Sequence, residues 1–424
     1  MLFELAVYAG MFIGMFSAVF FVLTFLEEEK RNIPAKLAKF PRVTIVVPAW
    51  NAADTIAETI KSLLDINYPK GKLEIIVIEN NKSSDKTLEI AKSFEKDGVI
   101  VCSIPEGGKG RAVNFAFKKA TGEIFGAIDS DSYATPNILM NMLPYFSDSE
   151  VVAVTPALKV HKPKNVWEHV QSLEYIYGIF LRKVFALLGS IHVAPGPMTI
   201  YRADYFGKSG GFDEDNITED MEIALRIQSQ HLKIENAPNG VVYTSSPRGF
   251  FQLLRQRLRW YLGFFENIVK YRHLMGHEHG ILGIFILPLA LYSIGFSVAL
   301  FAYSARRIAV DTFHWIANAH LGNFDFLAGI KSSLSLLPFY SPGITSALAI
   351  CFLIIGALML YFGWSRSGKE ERLYATYFIY IFFYTWLFAI WWLAVIFTKI
   401  FAKEMKFGGV VWKNSLINRV LHRQ

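Results

Sequence analysis

Two aspartates separated by one residue, Asp129 and Asp131, close the run Gly122–Asp131, GEIFGAIDSD. The apolar residues before them, Ile124 to Ile128, read as a short buried β-strand. Ligands of open α/β sheets bind at the carboxyl ends of strands. Two acids there, where the backbone turns, can both reach one cation or one diphosphate. Mg²⁺ takes one or two protein carboxylates and fills its shell with substrate phosphates and water. Another acid, Asp220, follows Glu219 near Asp213, Glu214 and Asp215. Crowded like charges raise a carboxylate's pKa, which suits a general base. Acids capping a helix N-terminus explain the same cluster equally well on spacing alone. A third cluster is QRLRW, Gln256 to Trp260, with Arg255 just before it. Arginine forks bind phosphate bidentately, and a Trp face suits a sugar ring. A membrane-surface helix meeting headgroups is the plainer reading, and the two are compatible.

The elements that must carry these residues alternate from Val43 onward. Strands are expected at Val43–Val47 (closed by Pro48), Leu73–Ile78, Gly98–Ile104 and Ile124–Ile128. Helices are expected at Asp54–Leu64, capped by Asn51 or Asp54, at Ser84–Phe94 and at Lys109–Ala120. Such alternation implies an α/β fold, a doubly wound, mostly parallel sheet with helices on both faces. Pro48, the Glu79-Asn80-Asn81 run, Lys109, and Asp129 with Asp131 then meet at one sheet edge. Acids and amides there can hydrogen-bond a base and ribose, and the Lys109 ammonium can counter a diphosphate. GGKGRA lacks the spacing of a Walker loop, and no GxGxxG follows the first strand. Later come a strand at Val151–Ala157, a helix at Val166–Leu188 and a Gly/Pro turn into a strand at Ala194–Tyr201. A helix runs from Thr218 to Gln230, and an amphipathic segment from Phe250 to Met275.

The composition places this unit at a membrane. The chain has 424 residues, 53% hydrophobic and only 19% charged, and the apolar residues are clustered. Leu2–Leu26 is long enough to cross a bilayer and lacks a basic n-region, so a retained helix is expected rather than a signal peptide. Lys30, Arg31, Lys36, Lys39 and Arg42 follow it, which sets the next domain in the cytoplasm. The net charge of +7 is assigned to such flanks, and no nucleic acid partner is expected. Ile281–Tyr303, Pro342–Phe362 and Tyr374–Ala402 are further candidate spans, four in all, with residues 313–340 intermediate. The basic tail, with Lys403, Lys406, Lys413, Arg419 and Arg423, favours the inside, whereas four crossings place it outside. The divisions are 1–27 transmembrane, 40–248 catalytic, 249–276 interfacial, 281–402 a transmembrane region of about three spans, and 403–424 tail. Cys102 and Cys351 lack partners at metal-ligand spacing and read as core hydrophobes.

As an ordered set, VTIVVPAWNA, EIIVIENNKSSDKT, GGKGRAVNFAFKKATGEIFGAIDSD, GPMTIYR, TED and QRLRW resemble the membrane-embedded family 2 glycosyltransferases. Those include cellulose, hyaluronan, chitin-oligosaccharide and poly-N-acetylglucosamine synthases. The resemblance covers about residues 40 to 275 and the flanking helices. It implies a GT-A fold and an inverting single displacement that uses Mg²⁺ or Mn²⁺. Asp131 would hold the metal, and Asp129 the metal shell or the nucleotide. Pro48, Glu79, Asn81 and Lys109 would contact the nucleotide sugar. Asp220 would be the base, and Glu219, Gln256, Arg259 and Trp260 would hold the diphosphate and acceptor end. Many members have Asp-Asp where this chain has Glu79-Asn80, so the donor is expected to be a nucleotide sugar, UDP-linked first and GDP-linked second.

The expected activity is extension of a β-linked polysaccharide at the cytoplasmic face of the cell membrane, among membrane lipids. A channel of four helices alone would be narrow, and a homo-oligomer would widen it. Addition of one sugar to a lipid-linked acceptor is the alternative. A catalytically dead sugar-nucleotide sensor or transport subunit is disfavoured, since DxD, TED and QRLRW are all intact.

Overall fold

The computed structural model describes residues 2–28, 37, 39–80, 83–105, 107–321, 343–366, 374–402, 404–407 and 410–413. Helix α1 (Leu2–Glu28) precedes an eight-stranded sheet. Its first half alternates β1 (Val43–Ala49), α2 (Ile56–Leu64), β2 (Leu73–Asn80), α3 (Thr87–Lys92), β3 (Ile100–Ile104), α4 (Lys109–Phe117) and β4 (Ile124–Ala127). Then come β5 (Ser132–Ala134), α5 (Ile138–Met142), β6 (Val151–Val160), α6 (Val166–Leu187), β7 (Ile200–Arg202), α7 (Ala203–Lys208), α8 (Glu219–Ser229) and β8 (Lys233–Thr244).

The strand order is β3-β2-β1-β4-β7-β6-β8-β5. Strands β1 to β4 are mutually parallel where they pair, with Val43 opposite both Leu73 and Ile124. Strand β7 runs antiparallel to β4 and β6, and β5 antiparallel to β8. The chain steps outward from β1 to β2 and β3, then returns to place β4 on the other side of β1. That reversal makes a crevice at the carboxyl ends of β1 and β4, where ligands of doubly wound sheets bind. Strands β1, β2 and β4 carry mostly buried apolar residues because both of their faces are covered, whereas β3 lies at the sheet edge with Ile100 exposed. Ile56, Ile60 and Leu63 of α2 pack on one face, and Ala112, Val113 and Ala116 of α4 on the other.

Two helices begin later than their sequence suggested. The backbone N–H groups of Ala52 and Ala53 are taken by Thr87 Oγ1 and Asp85 Oδ2, at 2.8 and 3.0 Å. That holds residues before Ile56 out of helix, and the N-cap is Thr55 rather than Asn51 or Asp54. Asn51 instead accepts a hydrogen bond from the Ser84 N–H. Asp85 also accepts from the Thr87 N–H, so α3 starts at Thr87.

Helix α6 packs between the sheet and the long apolar helices. It opens on a capping box, Asn165 with Glu168. It then packs β6 on one side and membrane-type helices on the other. Those helices are α1, α11 (Ile344–Arg366) and α12 (Tyr374–Phe401), and α10 (Leu287–Leu321, entered through a π-helical turn at Leu282–Ile286) packs in turn on α12. Among the described residues three stretches are long and apolar enough to cross a membrane: Leu5–Glu27, Leu282–His314 and Ser346–Arg366. In α12 the described apolar stretch is shorter, Trp386–Phe401. Residues 313–321 continue α10, while 322–342 and the tail 414–424 lie outside the described residues.

Helix α9 (Phe250–Lys270) is amphipathic as expected. Leu253, Leu262 and Ile268 are buried, while Phe251, Phe265 and Val269 are exposed. Helix α12 runs beside it, with Tyr261 stacked on Trp392 at 4.9 Å and Lys399 paired with Glu266. Both flanks of α12 touch the α/β unit. Before it, Gly363 abuts the Ile176 carbonyl of α6. After it, a hairpin of β9 (Glu404–Phe407) and β10 (Val410–Lys413) packs Met405 with Ile217 and Leu262.

Strands β4 and β7 approach closely at Gly126, whose missing Cβ would lie 2.7 Å from Ile200 Cγ2 and 2.9 Å from the Thr199 carbonyl. Gly126→Ala is expected to overpack β4 against β7 and cost about 1–3 kcal/mol. The check is the thermal midpoint of the detergent-solubilised protein. An unchanged midpoint would mean that these strands pack with slack.

Candidate active site

The crevice at β1 and β4 is one end of a cavity of about 840 Å³ that runs down to α6, α9 and α12. Pro48, Lys109, Asp129, Asp131, Glu219, Asp220, Gln256, Arg259 and Trp260 all line it, although they come from five separate parts of the chain. Two expected residues stand apart. Glu79 is buried in the ladder and accepts a hydrogen bond from Ser103 Oγ at 3.1 Å, so it does not reach the cavity. Successive strand side chains point to opposite faces, and its neighbour Asn80 lines the cavity instead, donating to the Gly107 carbonyl at 2.9 Å. Asn81 lies outside the described residues.

Lys109 sits at the first turn of α4, after Gly107 and Gly108. Its ammonium pairs with Asp129 and lies 3.8 Å from Glu219 Oε1. Burial works to lower its pKa, but Asp129 and Glu219 outweigh this and hold it above its ordinary value. Gly196 makes room for that ammonium: a Cβ there would come within 2.2 Å of Lys109 Nζ. The crowding expected at the TED run acts on Glu219, whose carboxyl is pushed up by burial and by Asp220 against the pull of Lys109. Asp220 lies one residue into α8, and its carboxylate accepts a hydrogen bond from the Met221 N–H at 2.9 Å.

Helix α9 is fastened onto the start of α8. A Cβ on Gly263 would lie 2.1 Å from Thr218 Oγ1, so only glycine allows this approach. Asn267 exchanges side-chain hydrogen bonds with Asn216 and donates to Thr218 Oγ1 at 3.0 Å. QRLRW is thereby held opposite Glu219 and Asp220. Gln256 Oε1 is buried without a hydrogen-bond partner among the described residues, and it belongs to a residue lining the cavity. A ligand donor would satisfy it.

The sequence groups Arg257 with Arg255 and Arg259 as a phosphate-binding fork, but it is turned into the protein. Arg257 is fully buried, and its Nη2 lies 2.5 Å from Glu174 Oε2. Its guanidinium stacks on Trp260 at 4.0 Å and faces Trp391 of α12 at 5.8 Å. Burial would lower its pKa, but Glu174 holds it above its ordinary value. Glu174 and Trp50, at the end of β1, also line the cavity. The signal for Arg257 was its helical spacing, opposite the exposed face of α9. Arg257→Met is expected to leave Glu174 uncompensated and Trp260 unsupported, costing about 3–5 kcal/mol. Adding Glu174→Gln should recover part of the lost thermal stability. No recovery in the double variant would remove the pair as the cause.

The donor set fits a hard divalent cation. Asp131 is pushed up to about 6, chiefly by burial and then by Asp129, with Lys109 and Ser132 only partly offsetting this. A buried carboxylate with this shift is undersupplied with positive charge, and Asp131 with Asp129 and a diphosphate would complete an oxygen shell. Metal ligands must be deprotonated. Mn²⁺ affinity is therefore expected to fall about tenfold from pH 7.5 to 5 as Asp131 takes up its proton. Titration followed by Mn²⁺ paramagnetic resonance measures this. A flat profile would exclude Asp131 as a ligand.

Residues 44–210 match the family model described as Glycosyl transferase family 2. The chain is 30% identical over 237 residues to a beta-monoglucosyldiacylglycerol synthase of Trichormus variabilis, covering 54% of this chain and 50% of that protein. It is 28% identical over 233 residues to a poly-beta-1,6-N-acetyl-D-glucosamine synthase of Staphylococcus epidermidis, covering 54% and 56%. The chain thus spans about half the length of these curated relatives. A mannosyltransferase structure from Pyrobaculum calidifontis, in complex with GDP-Man and Mn²⁺, aligns with a TM-score of 0.53 at 20% identity. That alignment covers 86% of this chain and 99% of that one and shows a shared GT-A-like fold. The chain carries a family 2 glycosyltransferase domain over residues 44–210.

Proposed function

We propose that the protein is an inverting membrane glycosyltransferase that moves a sugar from a nucleotide sugar, UDP-linked first, to an acceptor hydroxyl presented at Trp260. The observation that carries this reading is the sharing of one cavity by the Asp129–Asp131 end, the Glu219–Asp220 turn and QRLRW. The base and ribose fit along Pro48, Trp50 and Asn80, with the diphosphate toward Lys109 and Asp131. A divalent metal at Asp131 and Asp129 would stabilise the leaving diphosphate. Asp220 takes the proton from the acceptor hydroxyl as its oxygen attacks the anomeric carbon. The bond to the diphosphate breaks on the opposite face, with an oxocarbenium-like transition state. Gln256 and Arg259 orient the acceptor end and the diphosphate.

The membrane-side arm of the cavity favours a lipid-linked acceptor. Tyr177, Leu181 and Phe185 of α6, Phe264 of α9, and Tyr380 and Tyr384 of α12 give it an apolar, aromatic wall. A growing β-linked polysaccharide is the second reading, favoured by the supported indole face of Trp260. The basic residues after α1 support a cytoplasmic catalytic domain. The packing of Met405 on Ile217 supports a C-terminal hairpin on that same side, with α1, α10 and α11 crossing and α12 lying along α9.

The test is incubation of the detergent-solubilised enzyme with radiolabelled nucleotide sugars and membrane lipid, followed by lipid extraction and sizing. One sugar on a lipid is expected, and a ladder of long products would select the polysaccharide reading. Asp220→Asn is expected to lower turnover at least a hundredfold while nucleotide-sugar affinity is retained. Normal turnover in that variant would remove Asp220 as the base.

A further inference from the structure

Arg182, on α6, lines the cavity that also holds the acidic end and the apolar wall. Arg226 and Arg257 each face a carboxylate. Arg182 differs: no carboxylate among the described residues pairs with it, and its Nη1 makes only a long hydrogen bond of 3.4 Å to the Pro156 carbonyl. Gly178, one turn earlier and also lining the cavity, leaves space for the fork, since a Cβ there would lie 3.1 Å from Nη2. Burial pulls the guanidinium down to about 10, opposed only by Tyr175. A buried cation without a protein anion is costly, and an anionic ligand is its natural complement.

Tyr175 connects this position to the reacting end, because its hydroxyl is within electrostatic reach of Arg257, Glu174, Arg182 and Asp131. Tyr177, Leu181 and Phe185 of the same helix line the cavity too, with the His192 ring 5.3 Å from Phe185. The donor diphosphate already has Lys109 as its counter-charge. A second anion beside apolar side chains belongs to the acceptor.

We infer that Arg182 holds the phosphate head of an amphiphilic acceptor, whose apolar chain runs along α6 toward α12. The planar fork of arginine matches phosphate geometry. This inference rests on the lipid-linked reading of the acceptor.

Isothermal titration of the full-length protein in detergent with farnesyl phosphate, farnesol and inorganic phosphate tests it. Farnesyl phosphate is expected to bind more tightly than either of the others. Arg182→Met should weaken it about tenfold or more, with Arg182→Lys recovering part of the loss. Donor affinity should be unchanged in both variants, and the thermal midpoint of Arg182→Met should not fall. Equal binding of farnesol, or of inorganic phosphate, would overturn the inference, as would a loss of donor affinity in Arg182→Met. Arg182-dependent binding of farnesyl phosphate without any transfer to a polyprenyl phosphate would overturn the lipid-linked reading and leave the anion subsite standing.

Discussion

The Lys109 ammonium between Asp129 and Glu219 is the contact on which the rest of the site depends. Asp129, Asp131, Glu219 and Asp220 are brought to one cavity from two distant parts of the chain. Left alone, four acids so placed would repel, and burial would add to the cost. Lys109 answers one acid from each pair, so it ties the end of β4 to the start of α8. Its own position follows from the Gly107-Gly108 turn before α4 and from the absence of a side chain at Gly196. Asp131 remains the acid with unmet demand for positive charge, which is what a metal-dependent donor site requires.

The second constraint reaches outward from the same turn. Gly263 and Asn267 press α9 against Thr218, and Arg257 then joins Trp260 to Glu174 and Trp391. The helix that presents QRLRW is therefore braced by the catalytic unit on one side and by α12 on the other. A change in how α12 packs would be felt at Trp260 before it reached Asp131. This coupling gives a physical reason for a sugar-transfer site to be built against membrane helices.

Much of this was legible in the chain. Strands β1 to β4 are short apolar runs bounded by polar or turn residues, and their sequence bounds differ from the structure by only a residue or two. Strand β8 was not legible, because KIENAPNGVVYT mixes charges with Pro238 and Gly240. Its pairing with β6 shifts register at Pro156, which a period-two pattern does not reveal. Strand β5 has only three residues. At the site, strand ends identified the right edge but not the right pleat: of the Glu79-Asn80-Asn81 run, Glu79 was expected at the nucleotide sugar, and Asn80 is the one that lines the cavity. The ordered motifs picked out Asp129, Asp131, Asp220 and QRLRW. The partners that hold them, Glu174 and Gly263, carry no motif and become visible only when α6, α8 and α9 are packed together.

The central claim is that Asp131 and Lys109 form the diphosphate end of a sugar-nucleotide site. The most direct measurement is a crystal structure of the enzyme with Mn²⁺ and UDP, using anomalous scattering from the metal. The account predicts an anomalous peak bridging the Asp131 carboxylate and the diphosphate, with Lys109 Nζ on a phosphate oxygen. A nucleotide bound with its diphosphate away from Asp131, or a metal held elsewhere in the cavity, would contradict it.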